Sequence, residues 1–138
     1  MAGVIRYLID TDSASYFLKN RFAPLTARMK TAMLAEEAAI SVVTRAEIRY
    51  GQRLMQMEDR RVRLINAFLR DIPALDWTME AAEHYARLAA EQKRQGLFIG
   101  TLDTQIAAHA LAEDLILVTN NACRFGRIPE LRIENWTT

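Results

Sequence analysis

The segment from Val4 to Ser13 constrains this chain most, because a short apolar run in it leads directly into two carboxylates. The run carries a single charge, Arg6, and is followed by Asp10 and Asp12. Such a run is typical of a strand that helices cover on both faces of a parallel sheet. Parallel sheets bind ligands at the carboxyl ends of their strands, which is where Asp10 follows. The sequence therefore predicts a central strand that ends in an anionic site.

Strand and helix patterns alternate through the rest of the chain. Further strand patterns occur at 39–43, 74–77, 115–118 and 131–136, and helical patterns at 13–19, 24–36, 44–56, 58–70, 78–96 and 101–112. Thr44 and Glu47 have the spacing of a capping box, which predicts that a helix begins at Thr44. The alternation favours an α/β sandwich around a mainly parallel sheet, with the last strand at its edge.

Length and composition are consistent with one domain over residues 1–138. The chain is 51% hydrophobic, with a net charge of +1 that neither requires nor excludes a polyanionic partner. A single cysteine and two histidines without zinc-like spacing argue against disulfides and structural zinc. No stretch approaches the roughly 20 apolar residues of a membrane span, so we expect a cytoplasmic protein.

Four polar residues fall at one edge of the predicted sheet: Asp10 after the first strand, Glu47 in the turn after the second, Asp103 at the start of a helix, and Asn121 after the strand at 115–118. Carboxylates that gather there repel each other and stay ionised only beside a compensating cation. Oxygen ligands without His or Cys select Mg²⁺ or Mn²⁺. Metals held in this way neutralise a phosphodiester and generate hydroxide, which indicates a metal-dependent phosphodiesterase.

Each acid also has a purely structural interpretation. Asp10 or Asp12 is a good helix cap, Glu47 fits the third position of the capping box, and Asp103 complements the positive end of a helix. Their joint placement favours a site over three separate structural roles. Among the basic residues, Arg49 and Arg53 follow Glu47 on its helix and Arg124 follows Asn121, which makes them candidates for phosphate contacts.

Four motifs in order resemble those of PIN-domain ribonucleases, and closely those of VapC toxins. They are LIDTDS at 8–13, SVVTRAEIRYG at 41–51, GTLDTQIAAHAL at 100–111 and LVTNN at 117–121, and the similarity extends to LRIENW at 131–136. The resemblance implies a three-layer α/β/α fold, a Mg²⁺- or Mn²⁺-dependent endoribonuclease of RNA, a cognate VapB-like antitoxin that covers the site, and a homodimer.

The resemblance also assigns roles to residues by position. Asp10, Glu47 and Asp103 match the metal-binding acids, and Asn121 matches a fourth position that is variably Asp or Asn. Thr11 and Thr119 match the hydroxyl positions of the family.

Two departures from the family pattern bear on the metal. Asp12 stands where these toxins commonly have Asn, and Arg124 precedes Phe125 where a carboxylate often stands. Because Asn121 and Arg124 lie in the same loop, we expect one tightly held ion, with another arriving with RNA.

Two other functions stay open on the sequence. The Asp10 and Asp12 pair resembles the strand-end motif of haloacid-dehalogenase-type phosphatases, in which Asp10 would be the nucleophile and Asp12 the general acid. A further alternative is a PIN domain that binds RNA or a partner without cleavage.

Overall fold

The computed structural model describes residues 3–56 and 59–138, which contain five parallel strands. The strands are β1 (Tyr7–Ile9), β2 (Ala38–Ser41), β3 (Ala74–Leu75), β4 (Ile116–Val118) and β5 (Ile133–Glu134). They form one sheet in the order β3-β2-β1-β4-β5. The predicted central strand is therefore in the centre, and the last strand is at the edge as expected.

Helices cover both faces of the sheet. They are α1 (Thr11–Leu18), α2 (Ala23–Leu34), α3 (Val42–Arg53), α4 (Arg60–Asp71), α5 (Met79–Arg94), α6 (Thr101–Ala112) and α7 (Ala122–Phe125). Successive residues of β1 supply different cores: Tyr7 and Ile9 pack with α1 to α4, whereas Leu8 packs with α5 and α6. This arrangement confirms the three-layer α/β/α prediction. None of the helices in the described ranges combines the length and apolar character of a membrane span.

The register of the sheet brings the carboxyl ends of three strands together. Leu8 is paired with Ala39 of β2 and Leu117 of β4. One residue beyond the strand, the Asp10 amide still donates to the Val118 carbonyl at 3.0 Å. The segments that follow β1, β2 and β4 consequently leave the sheet at the same edge.

Two helices on this edge begin earlier than the sequence predicted. Helix α1 begins at Thr11 rather than Ser13, because Asp10 caps it. Helix α3 begins at Val42 rather than Thr44, because the Ser41 hydroxyl accepts from the Val43 amide at 3.0 Å. The capping box at Thr44 was therefore wrong.

Two further differences concern helix α4 and the segment after β4. The predicted start of α4 at position 58 lies outside the described residues, and α4 begins at Arg60 after its cap, Asp59. The short helix α7 follows β4 where only a turn was expected. Four residues are too few to show a helical period, so no pattern indicated α7.

Candidate active site

Asp10 lies at the carboxyl end of β1 and is almost fully buried, with 6% of its surface exposed. Its Oδ1 accepts a hydrogen bond from the Ser13 amide at 2.8 Å, which makes it the N-cap of α1. Burial raises the pKa of Asp10 from its usual 3.8 to about 6, although hydrogen bonds from Thr119 and Ser13 act in the opposite direction. A cation bound beside this carboxylate would favour its ionised form.

Glu47 lies in the second turn of α3, and α1 holds its carboxylate in place. The Thr11 hydroxyl donates to Glu47 Oε1 at 2.6 Å and lies 3.0 Å from the Thr44 hydroxyl. Because Thr11 has a single hydroxyl proton, Thr44 donates to Thr11 and Thr11 donates to Glu47. Thr44 is fully buried, so this relay fixes Glu47 relative to the residue next to Asp10.

Thr119 and Asn121 form the corresponding part of the site after β4. Thr119 is fully buried, and its hydroxyl accepts from the Asn121 amide at 3.0 Å. The Asn121 side chain is the N-cap of α7 and accepts from the Arg124 amide at 3.4 Å. Thr119 lowers the pKa of Asp10 and is hydrogen-bonded to the loop that carries Arg124.

Asp103 lies in the first turn of α6, whose N-cap is Gly100; the φ of Gly100, +112°, is in the region that favours glycine. Arg124 Nη1 donates to Asp103 Oδ2 at 2.6 Å. The Asp103 side chain is 34% exposed and the Arg124 side chain 54%. The ion pair thus joins α6 to α7 across the carboxyl edge of the sheet.

These interactions, together with the peptide bond between Asp10 and Thr11, connect all four predicted site residues in one set, which we call the polar chain. In order, the polar chain runs through Glu47, Thr11, Asp10, Thr119, Asn121, Arg124 and Asp103. Among residues 3–56 and 59–138, however, no three His, Cys, Asp or Glu side chains are close enough together to hold a metal ion. The acids share an edge without forming a closed ligand cluster.

The residues of the polar chain nevertheless fit a divalent cation in chemical type. Their acidic members offer oxygen ligands, which Mg²⁺ and Mn²⁺ prefer. Asp10 is buried without a cation beside it among the described residues, which is the electrostatic condition that a bound metal would relieve. Binding of a metal by Asp10, Glu47 and Asp103 stays a prediction.

The other predicted site residues lie outside the polar chain. Asp12 is exposed in the first turn of α1. Arg49 donates to Gln52 and Asn66, at 2.6 and 2.7 Å, so its guanidinium joins α3 to α4. Arg53 is exposed at the end of α3. Of these two arginines, Arg53 is the better placed to meet a phosphate.

Sequence reasoning missed a buried contact that supports the position of Glu47. His109 of α6 is fully buried, with Nδ1 2.8 Å from the Ser41 hydroxyl. The same hydroxyl accepts from the Val43 amide, so its hydrogen bond with His109 helps to fix the start of α3. The contact spans 68 residues, so no local pattern indicates it.

Comparison with known proteins gives the same family for most of the chain. The model of the PIN domain family matches residues 7–131. Ribonuclease VapC2 of Haemophilus influenzae is 37% identical, and the alignment covers 96% of this chain and 99% of that protein. The tRNA(fMet)-specific endonuclease VapC of Shigella flexneri is 35% identical, over 97% of this chain and 100% of that protein.

Solved structures agree with the sequence relatives. DNA-bound VapBC from Salmonella typhimurium matches with a TM-score of 0.87 and 31% identity, over 96% of this chain and 99% of that chain. VapBC2 from Rickettsia felis, bound to a promoter DNA fragment, matches with a TM-score of 0.86 and 30% identity, over 96% and 99%. The chain therefore belongs to the PIN-domain family and, within it, to the VapC ribonucleases.

Proposed function

We propose that this protein is a Mg²⁺- or Mn²⁺-dependent endoribonuclease, the toxin of a toxin–antitoxin pair, and that residues 1–138 form one PIN domain. The observation that carries the proposal is the polar chain, which connects Glu47, Asp10 and Asp103 at the carboxyl edge of a parallel sheet. Family membership supports the same activity, because the relatives are named ribonucleases and endonucleases.

The residues of the polar chain have different roles in the proposed hydrolysis of a phosphodiester. A divalent cation held by Asp10, Glu47 and Asp103 would neutralise the phosphate and lower the pKa of a bound water. Thr11 orients Glu47 by donating to one carboxylate oxygen, which leaves the other oxygen for a ligand. Thr119 fixes Asp10 and Asn121 together, so that the ends of β1 and β4 keep one geometry.

RNA is the substrate class, and tRNA is the first RNA to test. The relative from Shigella flexneri is named a tRNA(fMet)-specific endonuclease. Exposed Arg53 lies on α3, the helix that contains Glu47, and exposed Arg124 lies on α7, the helix that Asn121 caps, so both are available for phosphates.

A VapB-like antitoxin is the proposed partner. Two similar chains were solved in VapBC complexes. In this chain an apolar cavity of about 230 Å³ lies between α1, α3 and α4, and its lining includes Leu18, Ile48 and Met55. The cavity also reaches Thr11 and Glu47, so a partner segment bound there would lie against the polar chain. A homodimer, which the family resemblance implies, stays a prediction.

The test is cleavage of tRNA(fMet) by the purified protein with Mn²⁺, compared with Asp10→Asn and Asp12→Asn. Asn retains the helix cap at position 10 but removes the charge, so the variant separates chemistry from folding. We expect Asp10→Asn to reduce the rate by more than about 100-fold, since outer-shell partners of metals already cost about 10- to 100-fold. Asp12→Asn makes the same charge change at an exposed position and should retain most activity.

Three outcomes would contradict the proposal. Undiminished cleavage by Asp10→Asn would remove Asp10 from the mechanism, and full activity in EDTA would remove the metal. RNA binding without cleavage under any ion would favour the non-catalytic alternative. The phosphatase alternative predicts complete loss with Asp12→Asn, but it is not supported, because the chain belongs to the PIN-domain family.

A further inference from the structure

The ion pair between Arg124 and Asp103 places a permanent cation inside the polar chain. The two residues are 21 positions apart, and Arg124 Nη1 is 2.6 Å from Asp103 Oδ2. A guanidinium stays protonated at every pH at which proteins fold, so the charge is always present. Asp103 therefore has a permanent positive partner, whereas buried Asp10 has none among the described residues.

Hydrogen bonds to other residues of the polar chain fix the backbone position of Arg124. Its amide donates to the side chain of Asn121, and the Asn121 amide in turn donates to the buried hydroxyl of Thr119. Since Thr119 directly follows β4, the backbone of Arg124 is anchored to the central sheet. From this position the guanidinium reaches from α7 to α6.

Arg124 also keeps most of its hydrogen-bonding capacity. An arginine has five N–H donors, and in the described residues only Nη1 of Arg124 contacts another side chain. The side chain is 54% exposed. The remaining donors match the bidentate geometry of a phosphate group.

The charge of the polar chain limits how many metal ions it holds. Nucleases that use two metal ions place them about 3.5 to 4 Å apart, where they stabilise the attacking and leaving oxygens. The polar chain contains three carboxylates, one guanidinium and the neutral amide of Asn121, and no three acids of the described residues are gathered at metal-binding distance. Three negative charges and one positive charge leave −2, which one divalent ion balances, so a second ion would be drawn by no remaining net negative charge and would be repelled by Arg124 and by the first ion.

We propose that Arg124 replaces a second metal ion in this protein: it neutralises Asp103, binds the phosphate of the RNA through its free N–H donors, and limits the site to one divalent ion. The inference rests on the proposed nuclease function. It replaces the expectation, made from the sequence, that a second ion arrives with RNA. Arg124 is thus assigned to substrate binding as well as to charge balance.

The first experiment counts Mn²⁺ ions bound to the full chain by isothermal titration calorimetry, in the presence of a non-cleavable RNA. Wild type should bind one ion, and Arg124→Glu should bind two, because it replaces the cation with a ligand. Arg127→Glu is the matched control, since it makes the same charge change at an exposed position three residues away. It should bind one ion.

The second experiment measures RNA affinity in EDTA as a function of salt. Arg124→Gln should weaken binding about 10-fold and lower the salt slope by about one, as expected for one lost phosphate contact. Arg127→Gln should change neither value.

The outcomes distinguish this inference from the proposed function. One ion in both wild type and Arg124→Glu, or two ions in wild type, would overturn the role of Arg124 even if RNA cleavage is intact. Unchanged RNA affinity in Arg124→Gln would overturn its phosphate contact. No Mn²⁺ bound to any variant would overturn both proposals, whereas one ion without cleavage of RNA would overturn the nuclease function alone.

Discussion

Asp10 is a buried member of the polar chain and Asp103 an exposed one, and their negative charges are balanced in different ways. Asp10 is 6% exposed and has no cation beside it in the described residues, so burial raises its pKa to about 6. Asp103 is 34% exposed at the side chain and pairs with Arg124 at 2.6 Å. One carboxylate depends on a ligand for charge balance, and the other is balanced by the protein.

This difference in charge balance follows from the structural surroundings of each residue. Asp10 is tied to β1 and caps α1, so both neighbours that fix it are backbone segments of the core. Asp103 lies on the first turn of α6, where the chain is open to solvent and within reach of α7. The carboxylate whose charge depends on a bound ligand is thus the buried one, Asp10. We therefore expect protein stability to respond most strongly to the charge of Asp10.

The largest expected effect is therefore on stability at Asp10. Because the folded protein binds the Asp10 proton more tightly than the unfolded chain, ionisation of Asp10 destabilises the fold. Without metal, the ionisation of Asp10 should lower the free energy of unfolding as the pH rises from 3.8 to about 6. Above about pH 6 it should cause no further decrease. Asp10→Asn should remove this loss and stabilise the metal-free protein at pH 7 by up to about 3 kcal/mol.

Urea denaturation at several pH values between 4 and 8, in EDTA, measures this effect. Asp12→Asn is the control, because it neutralises an exposed acid two residues away and should leave the pH dependence in place. A wild-type protein whose stability rises over this pH range, with no gain in Asp10→Asn, would show that Asp10 is ionised at no cost in the fold.

The buried end of the site was predictable from the sequence, and the exposed end was not. The apolar run before Asp10 and the strand before Asn121 are local signals of a parallel sheet, and both lie where they were expected. The pairing of Arg124 with Asp103 joins two separate helices, one of which has four residues and no recognisable pattern. Local periodicity contains no information about such a contact.

The start of α3 shows how tertiary packing overrides a local signal. Both Ser41 and Thr44 are suitable caps, and the capping box favoured Thr44. In the structure the Thr44 hydroxyl is buried against Thr11, whereas Ser41 caps the helix and contacts His109. Glu47 consequently belongs to the interior of α3 and serves the site rather than the helix terminus.

A smaller effect on stability separates the helix-capping role of Asp10 from the effect of its charge. Asp10→Ala and Asp10→Asn both remove the charge, but only Asn can still accept from the Ser13 amide. We expect Asp10→Ala to be less stable than Asp10→Asn by about 1 kcal/mol, the usual contribution of a helix cap. Thr78→Ala, which removes the cap of α5 at the Ala81 amide, is a control outside the polar chain and should cost a similar amount. Equal stability of the two Asp10 variants would show that the cap contributes nothing.

The smallest effect is expected at the exposed ion pair, although its contact distance is short. Solvent screens a pair with this exposure, so a double-mutant cycle of Asp103→Asn and Arg124→Gln should give a coupling energy below about 1 kcal/mol. The pair of Arg28 and Glu134, at 3.0 Å and with side chains 52% and 35% exposed, is a matched control and should give a similar value. A coupling energy above about 2 kcal/mol at Asp103 alone would mean that Arg124 is held for the stability of the fold. A weak coupling agrees with the proposed role, in which Arg124 neutralises Asp103 through Nη1 and binds a phosphate through its other N–H donors.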